Sequence, residues 1–119
     1  MVIRPNLQAT LLTITAGIAD VLAMAKGVGV APLDAAGLFS KFKVGTVVAS
    51  RADKIARGDF AASFELTMAR KDIRLMIEAA GREPLTVLPA IAQRMDEAIA
   101  DGHGQDDLGA LAARSVSAS

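Results

Sequence analysis

Residues 7–27, LQATLLTITAGIADVLAMAKG, contain one acidic and one basic residue and otherwise only apolar or uncharged side chains. Apolar residues recur at three- and four-residue spacing, at Leu7, Leu11, Ile14, Ile18, Val21 and Ala25. Leucines and alanines make the other faces apolar too, which is typical of a buried helix. Pro5 suits a first helical turn, and Gly27 and Gly29 can adopt the left-handed conformation that ends a helix. The segment therefore predicts a long first helix that is buried on all sides.

The rest of the chain indicates five shorter helices and no strand. They are expected at residues 32–39, 45–56, 63–80, 85–100 and 106–114. Ser63 is a candidate N-cap of the fourth helix, and Asp106 and Asp107 are candidate caps of the last. We predict an all-α domain of about six helices over residues 1–114, followed by a disordered tail at 115–119.

The composition argues against several classes of function. Thirteen basic side chains balance thirteen acidic ones, so neither nucleic acid nor an anionic membrane surface is expected as a partner. The uncharged run 5–19 is too short to span a bilayer. No cysteine is present, and a single histidine with scattered carboxylates lacks metal-ligand spacing. We expect a cytoplasmic protein without a metal site.

The apolar first helix also has a consequence for assembly. A helix that is apolar all round needs partners on every side, and five shorter helices offer limited surface to cover it. We therefore expect a homodimer, or a neighbouring domain that this chain does not include.

Several short motifs occur in the order typical of one enzyme family. Residues 54–75, KIARGDFAASFELTMARKDIRL, combine a Gly-Asp-Phe turn with a Phe seven residues before a Lys-Asp pair. Residues 97–111, EAIADGHGQDDLGAL, add a Gly-His-Gly loop and an Asp that opens the last helix. Residues 19–30 resemble the family's central helix, with Asp20 where a Glu is usual. The chain resembles the C-terminal helical domain of the β-hydroxyacid dehydrogenases, which include 3-hydroxyisobutyrate dehydrogenase, in the 6-phosphogluconate dehydrogenase-like superfamily.

The resemblance implies an NAD(P)-dependent oxidoreductase in which a Rossmann domain precedes the helical one. This chain has no dinucleotide-binding fingerprint, because Gly27, Gly29 and Gly37 neither follow a strand nor have the required spacing. NAD or NADP is therefore expected only together with a Rossmann domain, and this chain alone is expected to bind neither.

The resemblance also implies site residues. Counted back from Asp20, the family's catalytic Lys and substrate-holding Asn positions fall on Arg4 and Gln8. An arginine stays protonated in proteins, so Arg4 could polarise a carbonyl but could hardly donate its proton. Phe64 and Lys71 match residues that reach the cofactor and the active-site cleft. The periodicity alone favours a core Phe64 and a solvated Lys71 over a functional role for either residue.

Three functions remain open from the sequence. The first is the dimerisation and substrate- or cofactor-capping domain of such a dehydrogenase or reductase. The second is a stand-alone helical homodimeric interaction module without catalysis. The third is an unrelated helical regulator, which would need a basic recognition helix that is not visible here. The lone His103, in a glycine-flanked loop without an obvious carboxylate, is more typical of a structural residue than of an acid–base group.

Overall fold

The computed structural model describes residues 3–116, with side chains from residue 7 onward. The α-helices are α1 (Ile3–Gly27), α2 (Pro32–Gly37), α3 (Val44–Ala56), α4 (Leu66–Ala80), α5 (Leu88–Ala98) and α6 (Ala113–Val116). Short 3₁₀ helices at Leu38–Ser40 and Leu108–Ala112 and a π-helical turn at Ile99–His103 complete the helical structure. Between residues 3 and 116, β pairing is limited to one isolated bridge, Glu65 to Asp107. The predicted all-α fold of six helices is confirmed.

The N-terminus of α4 differs from the prediction. Ser63 is not its N-cap, since α4 begins at Leu66 and Glu65 occupies the cap position without a side-chain hydrogen bond. The Ser63 hydroxyl instead donates to Asp107 Oδ1 at 3.0 Å. Long-range pairing with a buried carboxylate has displaced a local cap.

The beginnings of α5 and of the last helical segment also differ. The fifth helix, expected from residue 85, begins at Leu88 as α5, with Pro89 in its first turn. Asp107 rather than Asp106 caps the 3₁₀ helix Leu108–Ala112, accepting a hydrogen bond from the Gly109 N–H. Of the predicted tail, residues 115–116 belong to α6 and residues 117–119 lie outside the described residues.

The core lies between α4 and α5. It consists of the buried residues Leu66, Ala69, Ile73, Ala92, Met95 and Ala98. Alanine makes up half of this set, so the two helices can approach closely, and Leu66 and Met95 fill the remaining space. The 3₁₀ helix Leu108–Ala112 packs over the same core through Leu108 and Leu111.

The C-terminal end of α1 crosses the C-terminal end of α4 at Gly27. A Cβ atom placed at Gly27 would meet the backbone oxygens of Ala79 and Ala80, the latter at 2.7 Å. No side chain larger than hydrogen fits this crossing. Beyond it, Gly29 has φ +81°, the left-handed conformation expected at the end of the first helix.

The N-terminal half of α1 is exposed within this chain, in contrast to the expected burial. The helix packs on α2 and α4. However, Leu7, Leu11 and Leu12 are 66%, 63% and 70% exposed. The stretch Leu7–Gly27, with a mean hydropathy of 1.6, is long and apolar enough to cross a membrane by length and composition. The described residues of this chain thus leave a large apolar surface on α1 uncovered.

Candidate functional site

An apolar cavity of about 390 Å³ lies between α3, α4, α5 and the 3₁₀ helix Leu108–Ala112. Most of its wall is aliphatic and includes Ile55, Ile73, Met76, Leu88, Ile91 and Met95. Phe64 is its aromatic residue, and Arg51 and Asp72 are its two charged residues. Cavities of this size and lining are typical of sites for small apolar groups.

Phe64 is the predicted site residue that the structure places on this cavity. It lies in the segment just before α4, whereas Lys71 lies within that helix. Its backbone is fixed on both sides, since its N–H donates to Asp107 Oδ1 at 3.1 Å and its C=O accepts from the Leu108 N–H at 2.7 Å. The aromatic ring is therefore held on a rigid backbone at the cavity wall.

The other predicted site residues lie elsewhere. Lys71 is exposed on α4 and does not line the cavity, although its neighbour Asp72 does. Gln8 is exposed on α1, and the side chain of Arg4 lies outside the described residues. The catalytic assignments of Arg4, Gln8 and Lys71 stay predictions.

Asp107 is the most heavily hydrogen-bonded carboxylate among the described residues. It is 1% exposed. Its Oδ1 accepts from the Ser63 N–H and hydroxyl, both at 3.0 Å, and from the Phe64 N–H. Its Oδ2 accepts from the Gly109 N–H at 2.8 Å and from Arg51 Nη1 at 3.1 Å. This one side chain joins α3, the loop before α4 and the last helical segment.

The pKa of Asp107 follows from these contacts. Burial by itself raises the pKa, but the hydrogen bonds from the N–H groups of Gly109, Phe64 and Ser63 outweigh burial and hold the pKa of Asp107 far below its ordinary value. The carboxylate is therefore ionised at neutral pH and carries no proton to transfer. Its role is to fix the position of Phe64.

Asp20 has a similar role on α1. It is 1% exposed and accepts hydrogen bonds from the N–H groups of Thr86, Val87 and Leu88, the last two at 2.8 and 2.7 Å. Burial raises the pKa of Asp20, and these three backbone donors more than offset burial, so the pKa lies below its ordinary value. These donors belong to Leu88, the first residue of α5, and to the two residues before it. A carboxylate from α1 therefore caps the N-terminus of α5.

His103 has a carboxylate partner that the sequence analysis did not identify. Its Nδ1 lies 2.8 Å from Asp106 Oδ2, and its ring meets Phe60 edge to face with centroids 6.3 Å apart. Asp106 therefore pairs with His103 instead of capping a helix. Within residues 3–116, no three His, Asp or Glu side chains group in a way that could hold a metal ion.

Arg51 and Lys54 on α3 are site residues that the sequence analysis missed. Arg51 Nη1 lies 3.1 Å from Asp107 Oδ2, and Lys54 Nζ lies 3.9 Å from Asp107 Oδ1. For Lys54, the signal available in the sequence was its four-residue spacing from Ser50 and Thr46, which places the three side chains on one face of α3. Their shared acidic partner is far along the chain and could not be identified from local spacing.

Comparison with known proteins identifies the fold. No family model and no curated protein matches the sequence. The structure matches that of the reductive aminase from Aspergillus terreus in complex with NADPH and ethyl levulinate, with a TM-score of 0.77 and 18% sequence identity. The match covers 92% of this chain and 40% of that chain, so this chain spans less than half the length of its neighbour. This chain therefore shares the all-α fold of the matching part of that reductive aminase.

Proposed function

We propose that this chain is the dimerisation and substrate- or cofactor-capping domain of an NAD(P)-dependent β-hydroxyacid dehydrogenase or reductase of the 3-hydroxyisobutyrate type. One observation carries the proposal: a fold shared with part of an NADPH-bound reductive aminase occurs here with an apolar first helix left uncovered. A row of exposed leucines along several helical turns is unusual in a monomeric domain and typical of an interaction surface. A second copy and a companion domain would both cover such surface.

The residues of this chain do not fit a nicotinamide dinucleotide by themselves. The pyrophosphate of such a cofactor is usually seated at a glycine-rich turn between a strand and a helix. Residues 3–116 contain no strand beyond the isolated bridge. The glycines with positive φ, namely Gly29, Gly58, Gly81 and Gly102, follow or interrupt helices. The proposal therefore requires a Rossmann domain, either in the same polypeptide or as a separate partner.

In the proposed enzyme this chain supplies one wall of the active-site cleft. The ring of Phe64 provides a fixed apolar surface, and the ammonium group of Lys71 provides a mobile positive charge on α4. Arg4 polarises a substrate carbonyl, and Gln8 donates or accepts a hydrogen bond. Since Arg4 keeps its proton, the proton that a carbonyl reduction consumes comes from another group.

The first test concerns the natural protein. An antibody raised against this domain would isolate the protein from an extract of its source, and blotting would give its mass. The proposal expects a band near 30 kDa, roughly two domains, and expects the isolated native protein to bind NADH or NADPH. A band near 12.3 kDa, without a co-precipitated Rossmann protein, would instead support the stand-alone interaction module and contradict the proposal.

A further inference from the structure

A second cleft lies between α3 and the loop that precedes α4. It encloses about 270 Å³ and is lined by Thr46, Val47, Ser50, Arg51, Lys54 and Ser63. Five of these six residues carry hydrogen-bonding side chains, two are cations and none is acidic. The space is several times the share of one water molecule in the liquid, about 30 Å³, and can hold a small anion with part of its attached group.

The cations at this cleft exceed the negative charge beside them. Arg51 and Lys54 share the single carboxylate of Asp107. That carboxylate already accepts four hydrogen bonds from groups that carry no charge, on Ser63, Phe64 and Gly109. Two positive charges therefore face one negative charge that is largely satisfied without them. With two cations and no acidic residue in its lining, the cleft favours an anion.

The two cations also retain donor capacity. A guanidinium has five N–H donors, and Arg51 directs one bond to Asp107. Lys54 donates to the Ala61 carbonyl and lies within 4 Å of Asp107, which leaves part of its three-donor capacity for a ligand. Ser50 and Thr46 stand one and two helical turns before Lys54 and add two hydroxyl donors. A guanidinium fork, an ammonium and hydroxyls together suit the several oxygens of a phosphate.

We propose that the cleft formed by Thr46, Ser50, Arg51, Lys54 and Ser63 binds the phosphate group of a small molecule. The site is separate from the Phe64 cavity and does not depend on the proposed oxidoreductase function. Arg51 contributes to both walls, so a bound phosphate would lie across that side chain from the apolar cavity.

Inorganic phosphate is the probe for this site. The ¹⁵N-labelled chain is titrated with sodium phosphate at constant ionic strength, kept with sodium chloride, and amide shifts are followed by NMR. The proposal expects saturable shifts centred on Ser50 and Ser63, with a dissociation constant of about 1 mM or tighter. Shifts that grow linearly, or that equal those produced by chloride, would overturn it.

Matched variants give the control. Arg51→Gln is expected to weaken phosphate binding about tenfold or more, because a charged hydrogen bond is lost. Arg57→Gln makes the same change of charge at the C-cap of the same helix. Arg57 pairs with Asp53 at 3.0 Å and does not line the cleft, so the affinity of this variant should equal that of the parent chain. Equal losses in the two variants would contradict a specific site.

A second variant guards against misfolding of Arg51→Gln. The double variant Thr46→Val and Ser50→Ala leaves every contact of Asp107 in place, and its amide spectrum should stay dispersed. We expect it to weaken phosphate binding severalfold. An affinity unchanged from the parent chain would exclude the hydroxyl face of α3 from the site and overturn the proposal.

Discussion

At the scale of single residues, the carboxylate of Asp107 connects α3, the loop before α4 and the 3₁₀ helix Leu108–Ala112. Asp107→Asn keeps the shape of the side chain but removes the charge, and its amide group faces N–H donors. We expect the free energy of unfolding to fall by about 3 kcal/mol, because buried donors and Arg51 lose their acceptor. Urea denaturation followed by circular dichroism measures the change. Asp53→Asn, on the surface of α3, should change stability by less than about 0.5 kcal/mol, and an equal loss in both variants would contradict this role.

Acid stability follows from the same kind of residue. The pKa values of Asp20 and Asp107 are lower in the folded than in the unfolded chain, so their stabilisation is complete above the unfolded value of about 3.9 and is lost as the pH falls through the folded values. The urea midpoint should therefore drop between about pH 5 and pH 2.

The variant Asp20→Asn tests that pH dependence. It should be less stable at neutral pH and should lose less stability on acidification, because one of the two linked carboxylates is gone. A midpoint that falls as steeply with pH in Asp20→Asn as in the parent chain would show that Asp20 does not contribute.

Substitution of Lys71 tests whether the family resemblance extends to the residues of the proposed active-site cleft. In the proposed two-domain enzyme, Lys71→Ala should raise KM for cofactor or substrate about tenfold while leaving the fold unchanged, because the side chain is exposed. Arg74→Ala is the matched control on α4, since Arg74 is exposed and pairs with Glu78. Steady-state kinetics measure both. Unchanged kinetics of Lys71→Ala would remove this residue from the proposed cleft.

At the scale of elements, the crossing of α1 over α4 depends on one missing side chain. Gly27→Ala places a methyl group against two backbone oxygens that cannot move without shifting α4. We expect a loss of about 1–3 kcal/mol, measured by thermal and urea unfolding. Gly17→Ala on the same helix meets nothing within 4 Å and should stabilise the chain by up to about 1 kcal/mol. Stabilisation by both substitutions would contradict the close crossing.

Helix existence could be predicted from the sequence more reliably than helix beginnings. Gly29, Gly58 and Gly81 end helices or turns through their own backbone conformations, so local reasoning located those breaks. The beginning of α5 could not be found in this way, because the groups around it are held by Asp20, 66 residues away from Thr86. For the same reason, Ser63 looked like a helix cap although its partner is Asp107.

The site was predictable only where a motif marked it. Phe64 was identified through the resemblance, and the structure places it on a cavity. Arg51 lies outside the quoted motifs, and Lys54 only begins the run 54–75 without a role assigned to it. Both residues were found through their pairing with a carboxylate on a distant segment. Local periodicity groups residues of one helix, whereas a cleft joins residues of several elements.

At the scale of the whole molecule, the exposed N-terminal half of α1 predicts self-association. Burying each exposed leucine is worth about 1.5–3 kcal/mol, so the double variant Leu7→Gln and Leu11→Gln should shift a dimer toward monomer. Leu33→Gln on α2, where the side chain is 87% exposed, changes hydrophobicity equally outside α1 and should leave association unchanged. Sedimentation equilibrium measures the distribution. A monomeric parent chain that partitions into neutral lipid vesicles would contradict a protein partner for α1.

The hydrogen bonds of Asp20 connect movements of α1 to the start of α5. The Leu88 N–H is bound to Asp20, and the Leu88 side chain forms part of the cavity wall. If contact with another molecule tilted the exposed N-terminal half of α1, Asp20 would either move the start of α5 or lose its three hydrogen bonds to Thr86, Val87 and Leu88. A tilt of α1 would therefore change the width of the cavity through Leu88.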